Sequence, residues 1–172
     1  SGATAVTLLP AMASEAAHVT MVQRSPGYII AWPARDLFAN LLRLLLPKML
    51  AYRIARAKNI YMQQFAYRQT RIRPQKVRQW LLKRAKKALG PDFDIQTHLS
   101  PAYDPWDERL CLSPDGDFFE AIRSGEASIE TGEVTRFTAE GVGLTDGREI
   151  SADIVVTATG LNLAVLGEIA FE

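Results

Sequence analysis

The spacing of apolar residues divides the chain into a helix, a strand and a long helical block. Residues 5–17 are rich in Ala, Leu and Met and predict a helix, although Pro10 is an awkward interior residue. The run at 19–23 predicts a strand. Apolar residues then recur at helical spacing, with Asp36 as a cap for the first helix and Pro74 in the first turn of the last. The predicted helices span residues 37–46, 48–67 and 74–89.

The final third of the chain has the pattern of short strands. We expect a brief helix over residues 118–123 and a hairpin turn at Asp146-Gly147. The run at 152–158 is rich in β-branched residues and predicts a buried final strand. The two Pro-containing stretches at 27–33 and 92–117 are predicted to be loops. The remaining predicted strands are 127–131, 134–138, 141–144 and 148–151.

This order of elements predicts an α/β fold. We expect a truncated, Rossmann-like nucleotide-binding domain that carries a helical insertion and a small β-meander. Residues 1–34 would form the N-terminal part of that domain, with its first strand missing. Residues 35–91 would form the insertion. Residues 92–172 would supply a loop, the meander and the closing strand.

The first residues resemble the second half of a G-x-G-x-x-G/A dinucleotide-binding fingerprint. Gly2 would be its second glycine, which lets the backbone approach a pyrophosphate, and Ala5 its third small residue, which packs the helix closely on the sheet. Ala3 and Thr4 lie between them. The helix N-terminus would present free N–H groups to the phosphates.

The end of the next strand favours NADPH over NADH. NAD-binding versions carry an acid about 20 residues beyond the glycines, which holds the ribose 2′-hydroxyl. Here Gln23 is followed by Arg24 and Ser25. A guanidinium and a hydroxyl can both donate to a 2′-phosphate, which predicts NADP(H) binding. The competing interpretation is an ordinary surface arginine.

Charge is distributed very unevenly along the chain. Residues 37–91 contain 14 Lys and Arg and no Asp or Glu, whereas residues 92–172 contain 4 Arg and 17 acids. The basic helices could face solvent, dock on the acidic third of the chain, or bind an anionic membrane surface; nucleic acid is the weakest alternative. Cys111 is the single cysteine, which excludes a disulfide framework and favours a reducing compartment, the cytoplasm. His18 and His98 lack metal-ligand spacing.

Four segments together resemble class B flavoprotein monooxygenases, in particular the Baeyer–Villiger branch and the ethionamide-activating type. They are residues 2–5, 23–26, 103–111 and 153–161. The resemblance implies an enzyme with two dinucleotides, FAD on a domain outside this chain and NADPH here. In that family NADPH reduces the flavin, O₂ adds to give a C4a-peroxyflavin, and the peroxide oxygenates a ketone or a thioether or thioamide sulfur.

The resemblance also assigns residues. Gly2 to Ala5 match the pyrophosphate loop, and Arg24 and Ser25 match the 2′-phosphate contacts. Arg109 matches the active-site arginine that stabilises the anionic flavin species, which suits a fixed cation in a dry site. Thr159 and Gly160 match a turn that links the domains near the cofactors. From the residues alone, Arg109 would instead pair with Asp107 or Glu108.

Two other functions remain open. The first is a two-dinucleotide flavoprotein reductase, which would form no oxygenated product. The second is a non-enzymatic module that binds membrane surfaces through residues 37–91. The substrate itself cannot be derived from the chain, and we expect the truncated chain to bind NADPH weakly and to be inactive alone.

Overall fold

A computed structural model of the protein describes residues 2–108 and 110–160. The fold is mixed α/β, so the expected class is confirmed. The first half is mainly helical, with two short strands after the first helix, and the second half is mainly strands. In chain order they are α1 Ala3–Ala13, β1 Val19–Gln23, β2 Tyr28–Trp32, α2 Leu37–Leu45, α3 Lys48–Ile72, α4 Pro74–Leu89, α5 Ile95–Leu99, β3 Leu110–Pro114, α6 Asp117–Arg123, β4 Ala127–Thr131, β5 Val134–Phe137, β6 Gly141–Leu144 and β7 Glu149–Ser151.

Two parallel strand pairs join distant parts of the chain. β1 pairs with β4, with Val19 opposite Ala127, and β2 pairs with β3, with Tyr28 opposite Leu110. Parallel strands need a crossover connection, which here is supplied by the helices between them. β5, β6 and β7 form a separate antiparallel meander.

The main core lies between α1, α4, α6 and the parallel strands. α1 buries Ala5, Val6, Leu9 and Ala13, although Pro10 lies within the helix. These side chains pack in one cluster with the fully buried Phe118 and its neighbours. α1 therefore remains continuous through the proline because its buried face compensates for the missing hydrogen bond.

The helical block extends away from this core. α3 is 25 residues long, yet Ala51 and Thr70 are the only buried residues of this described helix. α2 packs on α3 and buries Ala39. α4 returns to the core through Leu81, Ala85 and Leu89. The predicted helices are confirmed, and α3 continues five residues beyond the expected end at Tyr67.

Two stretches predicted as loops contain regular structure. Residues 27–33 include β2, and residues 92–117 include α5 and β3. The loop predictions were wrong because β2 and β3 stabilise each other. Each strand is only five residues long and bounded by proline. The local pattern therefore does not show that a partner strand lies about 80 residues away.

The predicted final strand is also wrong. No strand is present over residues 152–158. Ile154, Val155 and Val156 are 79%, 45% and 50% exposed instead of buried. A β-branched run becomes a strand only beside a partner that accepts its backbone hydrogen bonds, and none of the described strands pairs with it. The division into segments 1–34, 35–91 and 92–172 stays a prediction.

Candidate functional site

The residues predicted to bind a nucleotide lie at one end of the first helix and strand. α1 packs against β1, and the short connection between them makes the strand run back along the helix. The N-terminus of α1 and the C-terminus of β1 are therefore on the same side. A small cavity of about 20 Å³ confirms that they are close, since Val6 of α1 and Gln23 of β1 both line it, together with Gly27.

The start of α1 is open and carries no opposing charge. Gly2 precedes the helix in extended conformation, with φ −134°, and no side chain caps the helix. A Cβ at Gly2 would meet nothing within 4 Å, so space is free in front of the first turn. The first turn contains no acid, which leaves the positive end of the helix dipole uncompensated within it.

Ala3 and Thr4 are exposed, whereas Ala5 is buried. A small side chain at position 5 thus lets α1 approach the strands closely, as the fingerprint requires. This arrangement can accept an anion at the helix N-terminus. The role of Gly2 to Ala5 in binding pyrophosphate stays a prediction.

Arg24 and Ser25 follow β1 directly and are both exposed. No acidic side chain among the described residues forms an ion pair with Arg24. Its guanidinium is therefore available to an external anion at the same end as the start of α1. The contact of Arg24 and Ser25 with a 2′-phosphate stays a prediction.

Gln23 anchors the end of β1 from inside the protein. Its side chain is 3% exposed, and its Nε2 donates to the carbonyl oxygen of His98 at 2.7 Å and to Oγ1 of Thr131 at 3.0 Å. The ring Nδ1 of His98 lies 2.9 Å from the same hydroxyl. Sequence reasoning missed His98 and Thr131, because nothing local links residues so far apart in the chain.

A second hydrogen-bonded network holds the loop before β3. Tyr28 is almost fully buried, and its hydroxyl donates to the carbonyl oxygen of Tyr103 at 2.9 Å. Arg78 donates to the Tyr28 hydroxyl, to the same carbonyl oxygen and to Oγ of Ser100, at 3.3, 3.4 and 3.0 Å. The two tyrosine rings meet edge to face at 5.5 Å. No local sequence motif indicates this role of Arg78.

Burial dominates the acid–base properties of this network. Desolvation raises the pKa of Tyr28, and the nearby Arg78 opposes the shift only in part. Desolvation also raises the pKa of Tyr103, to which the charge of Glu108 adds. Both phenols are therefore protonated at neutral pH and serve as neutral hydrogen-bonding groups.

Further contacts attach the same loop to the helical block. Arg71 of α3 forms an ion pair with Asp107 at 2.6 Å, and Gln75 of α4 donates to Asp104 at 3.1 Å. Trp106 has a positive φ of 73°. Arg109, the predicted catalytic residue, lies outside the described residues.

Thr159 and Gly160 are exposed near the end of the described chain. Gly160 has φ +91°, a conformation that favours glycine. Ala158, just before them, packs against the main core. This turn is therefore attached to the core, while its predicted role near the cofactors stays untested.

The structure offers no metal centre and no bilayer-spanning helix in the parts it describes. Residues 2–108 and 110–160 contain no group of three or more His, Cys, Asp or Glu side chains suited to a metal ion. None of the described helices combines the length and the apolar character needed to cross a membrane.

Comparison with known proteins identifies relatives along nearly the whole chain. No protein-family model matches it. The "Probable FAD-binding monooxygenase AlmA" of Acinetobacter baylyi is 48% identical over 170 residues, or 98% of this chain. The "FAD-containing monooxygenase EthA" is 48% identical over 168 residues in Mycobacterium tuberculosis and 47% identical over 168 residues in Mycolicibacterium smegmatis, in both cases 97% of this chain.

These matches confirm the resemblance derived from the sequence motifs. The chain is homologous to a segment of flavin-dependent monooxygenases, and its relatives include the ethionamide-activating type. It spans about a third of the length of these relatives, 34% in each case.

Proposed function

We propose that this chain is the NADPH-binding segment of an FAD-dependent monooxygenase, built on a Rossmann-like sheet. The complete enzyme would use NADPH and O₂ to oxygenate ketones, by Baeyer–Villiger reaction, or the sulfur of thioethers and thioamides. The observation that carries the proposal is the placement of Arg24, without an acidic partner among the described residues, at the same end as the open N-terminus of α1.

The described residues fit a phosphorylated dinucleotide. Free space in front of Gly2 admits a pyrophosphate, and the first turn of α1 offers N–H groups without a competing acid. Arg24 and Ser25 would hold the 2′-phosphate that distinguishes NADPH from NADH. The buried amide of Gln23 fixes the strand end from which both project.

The two cofactors would supply hydride transfer and oxygen activation. In the complete enzyme, this chain would bind and orient the nicotinamide nucleotide. The Arg78 network and the Arg71–Asp107 ion pair hold the loop that leads towards Arg109. Arg109 would place a positive charge where negative charge develops during oxygenation. We also propose a cytoplasmic location, which a single buried cysteine supports.

The cofactor assignment is tested on the complete enzyme with Arg24→Ala. Loss of charge-assisted hydrogen bonds to a phosphate should raise KM for NADPH roughly ten- to hundredfold and leave KM for NADH unchanged. Arg35→Ala is the matched control, since Arg35 is also exposed but lies beyond β2. An equal increase with both nucleotides would exclude the 2′-phosphate role.

The reaction class is tested by product analysis. The complete enzyme should consume NADPH and O₂ and convert a ketone to an ester, or a thioether to a sulfoxide. Arg109→Ala should retain bound flavin and lose most of the oxygenated product. NADPH oxidation without any oxygenated product from either substrate class would instead favour the flavoprotein reductase.

A further inference from the structure

The short helix α2 exposes a stripe of leucines on the surface. Leu37, Leu41, Leu44 and Leu45 are 77%, 53%, 81% and 67% exposed. Their spacing of i, i+4, i+7 and i+8 places them on one face of the helix. A soluble helix normally turns such a face inward, but α2 packs on α3 through the opposite side, where Ala39 is buried. We refer to these four residues as the leucine stripe.

The orientation of the leucine stripe is fixed by specific contacts. Asp36 accepts a hydrogen bond from the backbone N–H of Ala39 at 3.0 Å and so caps α2. The same carboxylate pairs with Lys58 of α3 at 2.7 Å, and Asn59 donates to it at 3.4 Å. Lys58 also lies 5.1 Å from the centre of the Phe38 ring. α2 is therefore tied to α3 with its leucines facing outward.

α3 continues the same combination of apolar and basic residues. Leu50, Ile54, Tyr61 and Phe65 are exposed and share one face of this helix. Arg53 lies three residues after Leu50, and Arg68 three residues after Phe65, so cations border this face. Aromatic and aliphatic residues flanked by arginine are typical of helices that lie in a membrane interface.

The acidic third of the chain does not neutralise this surface. Of the 14 basic residues between 37 and 91, only Lys58 and Arg71 form ion pairs with acids among the described residues. Ion pairing between these helices and the acidic third is limited, among the described residues, to Arg71 and Asp107, although α4 also packs on that third through uncharged contacts. Apart from Arg78, which is partly buried in the network with Tyr28, the remaining basic residues are exposed and lie on or between helices that carry exposed apolar side chains.

We propose that α2 and the adjoining exposed face of α3 bind the surface of an anionic lipid bilayer. The leucine stripe would enter the boundary between headgroups and acyl chains, and the surrounding cations would contact lipid phosphates. Charge complementarity carries this choice. Residues 37–72, which form α2 and α3, contain seven Lys and Arg and no acid, and an anionic lipid surface attracts such a basic segment. This inference does not depend on the NADPH assignment.

The test is co-sedimentation of the 172-residue chain with lipid vesicles. Phosphatidylcholine vesicles with phosphatidylglycerol should bind the protein, pure phosphatidylcholine vesicles should not, and added salt should weaken binding. Leu44→Ser should weaken binding about tenfold, because one buried leucine side chain is lost from the bilayer. Leu112→Ser, the same substitution at an exposed leucine of β3, should leave vesicle binding unchanged.

A second pair of variants tests the electrostatic contribution. Arg53→Glu should weaken binding about tenfold, whereas Arg136→Glu on the meander should not. Circular dichroism establishes that each variant remains folded. The proposal would be overturned if neutral vesicles bound the protein as strongly as anionic vesicles. It would also be overturned if Leu44→Ser and Leu112→Ser weakened vesicle binding equally. The proposal would also be overturned if the folded chain did not bind anionic vesicles. A dimer in solution that Leu44→Ser dissociates would overturn it as well, since the leucine stripe would then bind a second copy of the protein.

Discussion

Arg78 on α4 and Tyr28 on β2 are joined by a hydrogen bond of 3.3 Å, and both bind the carbonyl oxygen of Tyr103. One carbonyl oxygen thus receives two donors from two different elements. This contact links the helical block to the parallel strands and to the loop that precedes β3. Together with the Arg71–Asp107 ion pair and the hydrogen bond from Gln75 to Asp104, it holds the loop over residues 100–108.

Replacement of Arg78 should therefore destabilise the protein. Arg78→Met keeps the aliphatic stem but removes donors to two side chains and one carbonyl oxygen, so we expect a loss of about 1–3 kcal/mol in the free energy of unfolding. Arg84→Met is the matched control, because Arg84 lies on the same helix and its guanidinium stacks on the exposed Trp80. Urea denaturation measures both. Similar losses in the two variants would mean that the network contributes no more than a surface contact.

The buried amide of Gln23 provides a second prediction. Gln23→Leu has nearly the same volume but leaves the carbonyl oxygen of His98 without this donor and the hydroxyl of Thr131 without one of its partners. We expect about 2 kcal/mol of destabilisation, measured by thermal or urea unfolding. Thr20→Val, which removes a hydroxyl bonded to Ser128 at the other end of β1, should cost less. A neutral effect of Gln23→Leu would show that these polar groups find water instead.

Asp36 should make the helical block sensitive to acid. Hydrogen bonding from Lys58 is the main cause that lowers the pKa of Asp36 from 3.8 to about 2, and the Ala39 N–H adds to it. Because the folded-state pKa is depressed, the stabilisation is complete above the unfolded pKa and is lost as the pH falls through the folded pKa. The relevant window runs from about pH 4 down to about pH 2.

The comparison of wild type with Asp36→Asn isolates this effect, because asparagine can still cap α2. The melting temperature of the wild type should exceed that of Asp36→Asn at neutral pH, and the difference should shrink through this window. Other carboxylates with lowered pKa values, Asp94 and Asp146, titrate in both proteins and cancel. Lys58→Met should lose the same pH-dependent increment. A difference that stays constant with pH would contradict the ion pair.

Local sequence patterns predicted those elements whose stability is local. α4 begins at Pro74 and ends at Leu89 as expected, since a first-turn proline and a following glycine define it. β2 and β3 were not predicted because each strand is stabilised by pairing with the other. The prediction of a strand at 152–158 was wrong for the opposite reason. The composition of these residues suits a strand, but composition does not supply a neighbouring strand.

The candidate site shows the same division. The fingerprint and Arg24 follow each other closely in sequence, so their common position could be predicted from one helix and one strand. Gln23, His98 and Thr131 meet only after β1 and β4 have paired. Arg78 and Tyr28 are 50 residues apart and are joined by the packing of α4 on β2. Contacts of this kind depend on tertiary structure and carry no short motif.

Gly141 at the start of β6 allows a direct test of the meander. It has φ +153°, and a Cβ at this position would overlap the backbone carbonyl oxygen of Ile150 on β7. Gly141→Ala should therefore break the pairing of β6 with β7 and lower the free energy of unfolding by about 3 kcal/mol or more, because backbone strain and steric overlap add.

Gly125→Ala separates these two causes. Gly125 has φ +83°, but an added Cβ would meet no atom within 4 Å. This variant should therefore lose only about 1–2 kcal/mol in the free energy of unfolding. Urea unfolding of the two variants gives the difference, and hydrogen exchange at Val142 locates it. Equal destabilisation would show that the meander shifts to accommodate the methyl group.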